Sequence, residues 1–285
     1  MSDVSEHSAA IALAAQPAPF EQSLAWHEKL ANIAVLRKLL IVGLLALGWQ
    51  LGALRYNNPL LLPTLTDTLA AFGDGILSGQ LPGHAWASLK ILLSGFALGI
   101  VLSALVTGLA VSSRLGNDLL ELLTAMFNPL PAIALLPLAL LWFGLGNGSL
   151  IFVLVHSVLW SVALNMHAGF HAVSPTLRMV GRNYGLRGGA FVVKILIPAA
   201  FPSILAGLKI GWAFAWRTLI AAELVFGVSA GSGGLGWFIF ENKNELEIPS
   251  VFAGLLTVIL IGLAVENLVF RPLEIRTVKR WGMHG

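Results

Sequence analysis

Residues 122–177 read LLTAMFNPLPAIALLPLALLWFGLGNGSLIFVLVHSVLWSVALNMHAGFHAVSPTL, fifty-six positions without a lysine, arginine, aspartate or glutamate. A helix needs about 20 mostly apolar residues to cross roughly 30 Å of hydrocarbon, so this stretch holds two crossings. They cannot form one rod, because Gly144-Leu145-Gly146-Asn147-Gly148-Ser149 is a turn-forming cluster too polar and too rich in glycine to continue a helix. The reading is a helical hairpin in a membrane, and it sets the class of the whole chain.

On the N-terminal side, residues 39–54 are uncharged between Lys38 and Arg55. That window is short, but both cations extend it by reaching toward the interface. Ile91 to Ser113 forms a second window. On the C-terminal side, a fifth span is expected from about Pro198 to Phe226, and a sixth from Ile248 to Val265 plus one further turn, ending before Pro272. The prediction is an all-α membrane protein of six transmembrane helices. Residues 1–35 form an N-terminal tail and interfacial helix, 36–271 the membrane domain, and 272–285 a C-terminal tail. No internal repeat is evident, so the inverted repeats of many secondary transporters have no support.

The composition agrees. Of 285 residues, 57% are hydrophobic and 11% charged, with mean hydropathy +0.83, whereas a soluble domain carries roughly 25% charged residues. So few charges exclude a soluble or a disordered chain. The absence of cysteine excludes disulfides, thiolate zinc sites and cysteine nucleophiles. The net charge of +3 and pI near 9.4 do not point to nucleic acid, because the cations stand between apolar runs.

Those cations orient the chain. One side of the predicted topology holds Lys29, Arg37, Lys38, Arg114, Arg178, Arg182, Arg187, Lys194, Arg271, Arg276, Lys279 and Arg280, against Arg55, Lys90 and Lys243 on the other. Positive charge stays inside, which places both termini in the cytoplasm. The first 25 residues lack both the basic start and the apolar core of a signal peptide. A tail to about Gln22 and a short interfacial helix from Ser23 are expected. In the outer loop, from Asn57 to Ala87, a short helix after Pro63-Thr64 is predicted from Leu65, Leu69, Phe72 and Ile76 at helical spacing.

The cytoplasmic connection from Ser174 to Pro198 reads as two short helices. Ser174 caps the first, with Pro175 where a missing amide hydrogen costs nothing. Leu177, Val180 and Tyr184 share one face, Arg178 and Arg182 another, and Gly185 supplies the left-handed residue that ends it. Phe191, Val192, Ile195 and Leu196 form the apolar side of the second, and Pro198 starts span five. Arginines obeying the positive-inside rule account for part of this pattern, but the length of the connection favours a docking element.

Gly185, nine residues, Ile195, one residue, Ile197 and Pro198 resemble the cytoplasmic signature of ABC importer permease subunits, written E-A-A, three residues, G, nine residues, I-x-L-P. The chain departs from it at the front, where Met179-Val180-Gly181 occupies the E-A-A positions, and at Ile197 in place of leucine. Further stretches are similar to the nitrate, sulfonate and taurine branch of that family: Pro129-Leu130-Pro131-Ala132, Leu136-Pro137-Leu138, Leu141-Trp142-Phe143-Gly144-Leu145-Gly146, Ala221-Ala222-Glu223, Gly234-Leu235-Gly236 and Trp281-Gly282-Met283. Together they cover about residues 36 to 283.

The resemblance implies the type I importer permease fold, with the loop at about 174–197 as coupling helices between spans four and five. Arg178, Gly181, Arg182, Gly185, Arg187, Ile195 and Pro198 are then the residues coupled to the ATPase. It further implies a homodimer in the lipid of a bacterial inner membrane, two ABC ATPase subunits, and a periplasmic or lipid-anchored binding protein that delivers a small anionic solute. This chain should carry no cofactor, with ATP and magnesium on the partner ATPase. No glycine precedes any lysine, so a G-x-x-x-x-G-K-[ST] phosphate loop is absent. Gly231-Ser232-Gly233-Gly234-Leu235-Gly236 fits G-x-G-x-x-G but lacks the preceding strand and the βαβ unit of a dinucleotide site.

Within the membrane, Pro129, Pro131 and Pro137 should bend or interrupt span three, and the freed carbonyls must face protein or water. Part of span three is therefore expected to line the translocation path, with a packing kink as the plainer account. In span five, Lys209, Arg217 and Glu223 are costly in lipid, and helical geometry lets all three face a central cavity. Arg217, with Lys209 deeper, would give positive potential for an anion. An ion pair of either cation with Glu223, or a dimer contact, is the competing account.

His156, His167 and His171 are read as hydrogen-bonded core or interface residues, because His156 and His167 are three helical turns apart and cannot share a metal. The tryptophans are anchors or core. An ion-coupled secondary transporter is the rival function, and it would leave the basic loop without a role. An intramembrane enzyme lacks any H-E-x-x-H or acidic pair in a span.

Overall fold

A computed structural model describes residues 34–226 and 233–279. The expected N-terminal tail and interfacial helix, the residues Gly231 and Ser232, and the ending from Arg280 through Trp281-Gly282-Met283 lie outside the described residues. Among the described residues every regular element is helical. Five helices are long and apolar enough to cross a membrane, and a sixth span results if one bent pair counts as a single crossing. By contacts the chain divides into Met1–Arg55 and Tyr56–Gly285.

The first unit contributes helix α1, Ala34–Tyr56, which extends the predicted window of 39–54 at both ends. In the second unit, α2 (Leu65–Leu77) is the helix expected in the outer loop; Thr64 caps it by accepting from the Asp67 amide at 3.1 Å. Helix α3 runs over Gln80–Ser112, eleven residues before the expected start at Ile91. At about 1.5 Å per residue it is roughly 50 Å long, so its first turns lie beyond the hydrocarbon. Lys90, expected in the loop, is on this helix with its ammonium 5.8 Å from the centre of the Trp86 ring.

Span three is not one helix. Helix α4 (Arg114–Phe127) is capped by Ser113 and meets a 3₁₀ turn at Ala132–Leu135 and helix α5 (Leu136–Phe143) at 89°. Pro129 and Pro131 stand at this break, as expected of residues without an amide donor. Pro137 does not interrupt anything: it occupies the first turn of α5, where its missing donor has no intrahelical acceptor to serve. The hairpin turn falls where predicted, with Gly144 left-handed at φ 72°. There the buried Ser149 donates to the Gly144 and Ala139 carbonyls at 2.6 and 3.1 Å.

Helix α6 (Asn147–Ala172) is the centre of the second unit: 56% of its most apolar window is buried, against 17–28% for the other spans of that unit. Its neighbours reach it through small residues. A Cβ at Gly95 or Gly99 of α3 would lie 2.6 Å from Leu154 Cβ or 2.7 Å from Val158 Cβ. Lipid tails are as apolar as leucine, so helices associate in a bilayer by such close approach rather than by a hydrophobic drive. Val153, Val158, Val162, Ala215 and Leu219 form the core where α6 meets span five.

After α7 (Pro175–Asn183), the second short helix expected in the connection between spans four and five is not separate. Helix α8 (Gly188–Phe191), a π turn (Val192–Leu196) and α9 (Ile197–Phe226) run on as one rod. Helices α10 (Leu235–Asn244) and α11 (Ile248–Val265) follow. Span six does not end before Pro272. It continues through a π turn (Glu266–Phe270), α12 (Arg271–Glu274) and a second π turn (Ile275–Lys279). Pro198 and Pro272 both stand at the second position after a π turn, and the wider hydrogen-bond register there lets the rod pass a residue without a donor.

Candidate functional site

The break in span three opens a cavity of about 370 Å³ against α6 and α9. The chain between α4 and α5 supplies Phe127, Asn128, Pro129, Leu130 and Pro131; α6 supplies His156, Ser157, Trp160 and Ser161; α9 supplies Phe214, Arg217 and Thr218. Phe127 stacks on Trp160 with ring centroids 5.3 Å apart, and His156 stands edge-on to both at 6.3 and 6.2 Å. Ser157 donates to Thr218 at 3.1 Å across the α6–α9 contact.

The structure separates residues that the sequence had grouped. Pro131 and Arg217 share this cavity; Pro137, Lys209 and Glu223 do not line it. Lys209 pairs with Glu274 at 2.8 Å and Glu266 at 3.2 Å, so the competing ion-pair account holds for it, with partners other than Glu223. Glu223 is 2% exposed. Ser88 Oγ lies 2.9 and 2.8 Å from its two carboxylate oxygens, and the Gly236 amide donates to it at 2.9 Å. Arg217 is exposed, donates from Nε to the Ala213 carbonyl at 3.1 Å and lies 5.1 Å from the Phe214 ring centre.

The histidines also divide. His167 Nε2 donates to Asn117 Oδ1 at 2.7 Å, with His171 at 3.2 Å behind it, as a hydrogen-bonded core histidine should. His156 has no hydrogen-bond partner at either ring nitrogen, and neither has the Trp160 indole nitrogen. His156 therefore departs from the hydrogen-bonded residue expected of it, and Trp160, expected as an anchor or core residue, is buried with its nitrogen unpaired. The signal that finds them is their i, i+4 spacing on the face of α6 opposite a proline-broken segment. Among the described residues no cluster of histidines and carboxylates has the form of a metal site.

In the connection between spans four and five, Ser174 caps α7 by accepting from the Leu177 amide at 3.3 Å. The helix ends with the Leu186 amide donating to the Gly181 carbonyl at 3.1 Å and the Gly185 amide to Arg182 at 2.9 Å, with Gly185 at φ 72°. This pair of bonds is the Schellman termination that a left-handed glycine permits. Gly181 is buried against Phe191 and Ile195. Arg178 turns inward and donates to the Val173 and Phe170 carbonyls at the end of α6. Met179, Val180 and Tyr184 face outward, with Arg182 and Arg187 exposed beside them. Thus the apolar face of α7 is the open one.

Residues 71–271 match the family described as Binding-protein-dependent transport system inner membrane component. The chain belongs to this family. It is the permease subunit of an ABC importer, with the type I importer fold, and a multi-pass protein of the inner membrane. The permease is 30% identical to the taurine transport system permease protein TauC of Escherichia coli over 92% of its own length and 94% of that protein's. It is also 30% identical to SsuC of Bacillus subtilis, named for the transport of aliphatic sulfonates, over 86% and 87% of the two chains. To the nitrate import permease protein NrtB of a Synechocystis strain it is 29% identical over 70% of each. These place the permease in the nitrate, sulfonate and taurine branch, and the ion-coupled transporter is not favoured. ATPase and substrate-binding protein partners follow from the family in general terms.

Proposed function

We propose that the permease works as a homodimer that carries a small organic anion, handed over by a binding protein, along a path that includes the cavity at the span-three break. The observation that supports this reading is Arg217. It stands about 30 Å along α9 from Ile197 at 1.5 Å per residue, exposed on a single copy of the chain. An arginine at such a position faces protein or water rather than lipid. A second copy and a water-filled path together supply both surroundings, on a two-fold axis.

ATP and magnesium belong to two partner ATPase subunits. They would dock on the open face of α7, where Met179, Val180 and Tyr184 supply apolar contact and Arg182 and Arg187 supply charge. Closure of the ATPases would move α7, and Gly181 passes the movement to Phe191 and Ile195, hence along the rod through Pro198 into α9. Both termini lie in the cytoplasm, on the side of the arginine-rich ends.

The test is purification of the permease in mild detergent from its native membrane with partners identified by mass spectrometry, followed by uptake in proteoliposomes. A near-stoichiometric phosphate-loop ATPase is expected, together with anion uptake that falls in Arg217→Gln. Purification of the folded chain without any ATPase, or normal uptake and selectivity in Arg217→Gln, would refute the reading.

A further inference from the structure

Helix α10 ends on a residue that its own turn does not favour. The Glu247 amide donates to the Asn242 carbonyl at 2.9 Å and the Leu246 amide to the Lys243 carbonyl at 3.3 Å. This is the Schellman pattern that also closes α7, where the left-handed position belongs to Gly185. At the end of α10 that position belongs to Leu246, at φ 63°. The other described non-glycine residue with a positive φ is Asn57. Asparagine tolerates that conformation, whereas the leucine side chain crowds the following carbonyl.

Leu246 is also 62% exposed. A single exposed leucine is ordinary. One that keeps the backbone strained and turns most of its surface outward serves no need of the turn, and such strain persists where function uses it. The tip is held rigidly. Phe238 and Ile239 of α10 are buried against Gly254 of α11, where a Cβ would lie 2.7 Å from Ile239. Pro249 in the first turn of α11 fixes the returning chain.

Residues 243–247 are exposed throughout, and the charges of Lys243, Glu245 and Glu247 keep this tip out of hydrocarbon. The salt bridges among the described residues are those of Lys209, so Glu245 and Glu247 have no cation partner there. Helix α9, Ile197–Phe226, is about 45 Å long at 1.5 Å per residue and crosses once. The α10–α11 tip therefore lies on the face opposite α7. A partner on that face meets one apolar side chain between two carboxylates.

We infer that Leu246 anchors the substrate-binding protein, whose matching surface is an apolar socket rimmed by lysine or arginine. A side chain already fixed by its turn loses little freedom on docking, and Glu245 and Glu247 steer the encounter. The inference rests on the import reading above and deepens it by naming the chemistry of one partner's surface.

A photo-reactive benzoylphenylalanine in place of Leu246, illuminated in the native membrane, should join the permease to a soluble substrate-binding protein. That protein, expressed alone, is then titrated against the assembled importer in lipid nanodiscs. Leu246→Gly should raise the unfolding temperature of the permease, because the strain is relieved, yet weaken binding by about tenfold or more, the effect of losing a leucine side chain from a contact. Leu246→Asn also suits the left-handed position and should weaken binding likewise, so a looser turn in the glycine variant does not decide the result. Glu245→Gln combined with Glu247→Gln should slow association and flatten its dependence on salt.

Unchanged affinity in both Leu246→Gly and Leu246→Asn overturns the inference. So does attachment at position 246 to lipid, to a second copy of the chain or to nothing, or a lower unfolding temperature in Leu246→Gly, which would mean that the side chain serves the fold. Co-purification of an ATPase and ATP-driven uptake are read separately, so the docking point can fail while the import reading stands.

Discussion

Lys209 on α9 lies 2.8 Å from Glu274 of α12, and 3.2 Å from Glu266 in the π turn before it. The membrane lysine that looked available to an anionic solute is held by two carboxylates of the last helix. Lys209→Gln should therefore leave anion selectivity as it is and lower stability. These side chains are 27–52% exposed, so the pair contributes about 1 kcal/mol or less. Thermal unfolding in detergent should show Lys209→Gln more destabilised than Glu274→Gln, because it leaves two carboxylates facing each other. A change in transported anion with unchanged unfolding would contradict the assignment.

Glu223 is a strut rather than a ligand. It ties α9 to Ser88 of α3 and to the Gly236 amide of α10, and the Leu235 amide donates to Ser88 Oγ at 2.8 Å. Glu223→Gln keeps the size and an acceptor, whereas Glu223→Ala strands a buried hydroxyl and an amide at about 1–3 kcal/mol each. Alanine should depress the unfolding temperature and the yield of folded protein far more than glutamine does. Equal loss in the two variants would mean that the carboxylate charge, not the hydrogen bonds, matters.

Two glycines of the connection make different demands. At Gly181 a Cβ would fall 2.9 Å from both Phe191 and Ile195, so Gly181→Val must push α7 off the rod that continues into α9. At Gly185 nothing crowds a Cβ, but φ is 72°, where a side chain costs roughly 1–2 kcal/mol. Gly185→Asn should retain function, since asparagine tolerates that conformation, and Gly185→Val should not. Both valine variants should hydrolyse ATP in the assembled complex while transporting less per ATP. Full coupling in Gly181→Val would show that α7 does not transmit movement through this contact.

The order of spans was legible because membrane-length apolar windows and turn residues are local signals: the Gly144–Ser149 cluster, the helix start after Thr64, the Ser174 cap and the left-handed Gly185 all stand where sequence places them. What sequence misjudged depended on partners far along the chain. Pro272 reads as a stop, yet the π turn at Glu266–Phe270 carries the helix past it. Lys209, Arg217 and Glu223 fall on neighbouring faces of one helix, but the packing of α3, α10 and α12 claims two of them and leaves Arg217 to the cavity. His156 and Trp160 resemble ordinary core residues, and no local signal in the sequence tells that their ring nitrogens find no partner.

The arginines of the connection are not equivalent, although charge counting treats them alike. Arg178 spends its guanidinium on the Val173 and Phe170 carbonyls, at a helix end where carbonyls run short of amide donors, although Phe170 also accepts from the Val173 amide at 3.4 Å. Its geometry uses the planar fork, which lysine lacks. Arg182 and Arg187 instead flank Leu186, Gly188 and Phe191 on an exposed surface. Arg178→Lys should thus destabilise the free permease by about 1–2 kcal/mol, in keeping with the loss of hydrogen bonds to a charged group, and weaken ATPase attachment only as a consequence. Arg182→Gln and Arg187→Gln should leave unfolding unchanged, lower affinity for the ATPase subunit and reduce the salt dependence of that affinity, since exposed charges are screened within about 8 Å at physiological ionic strength. Unfolding and subunit affinity measured side by side separate the roles. Should Arg178→Lys unfold normally yet fail to bind ATPase, the inward arginine would belong to the docking surface after all.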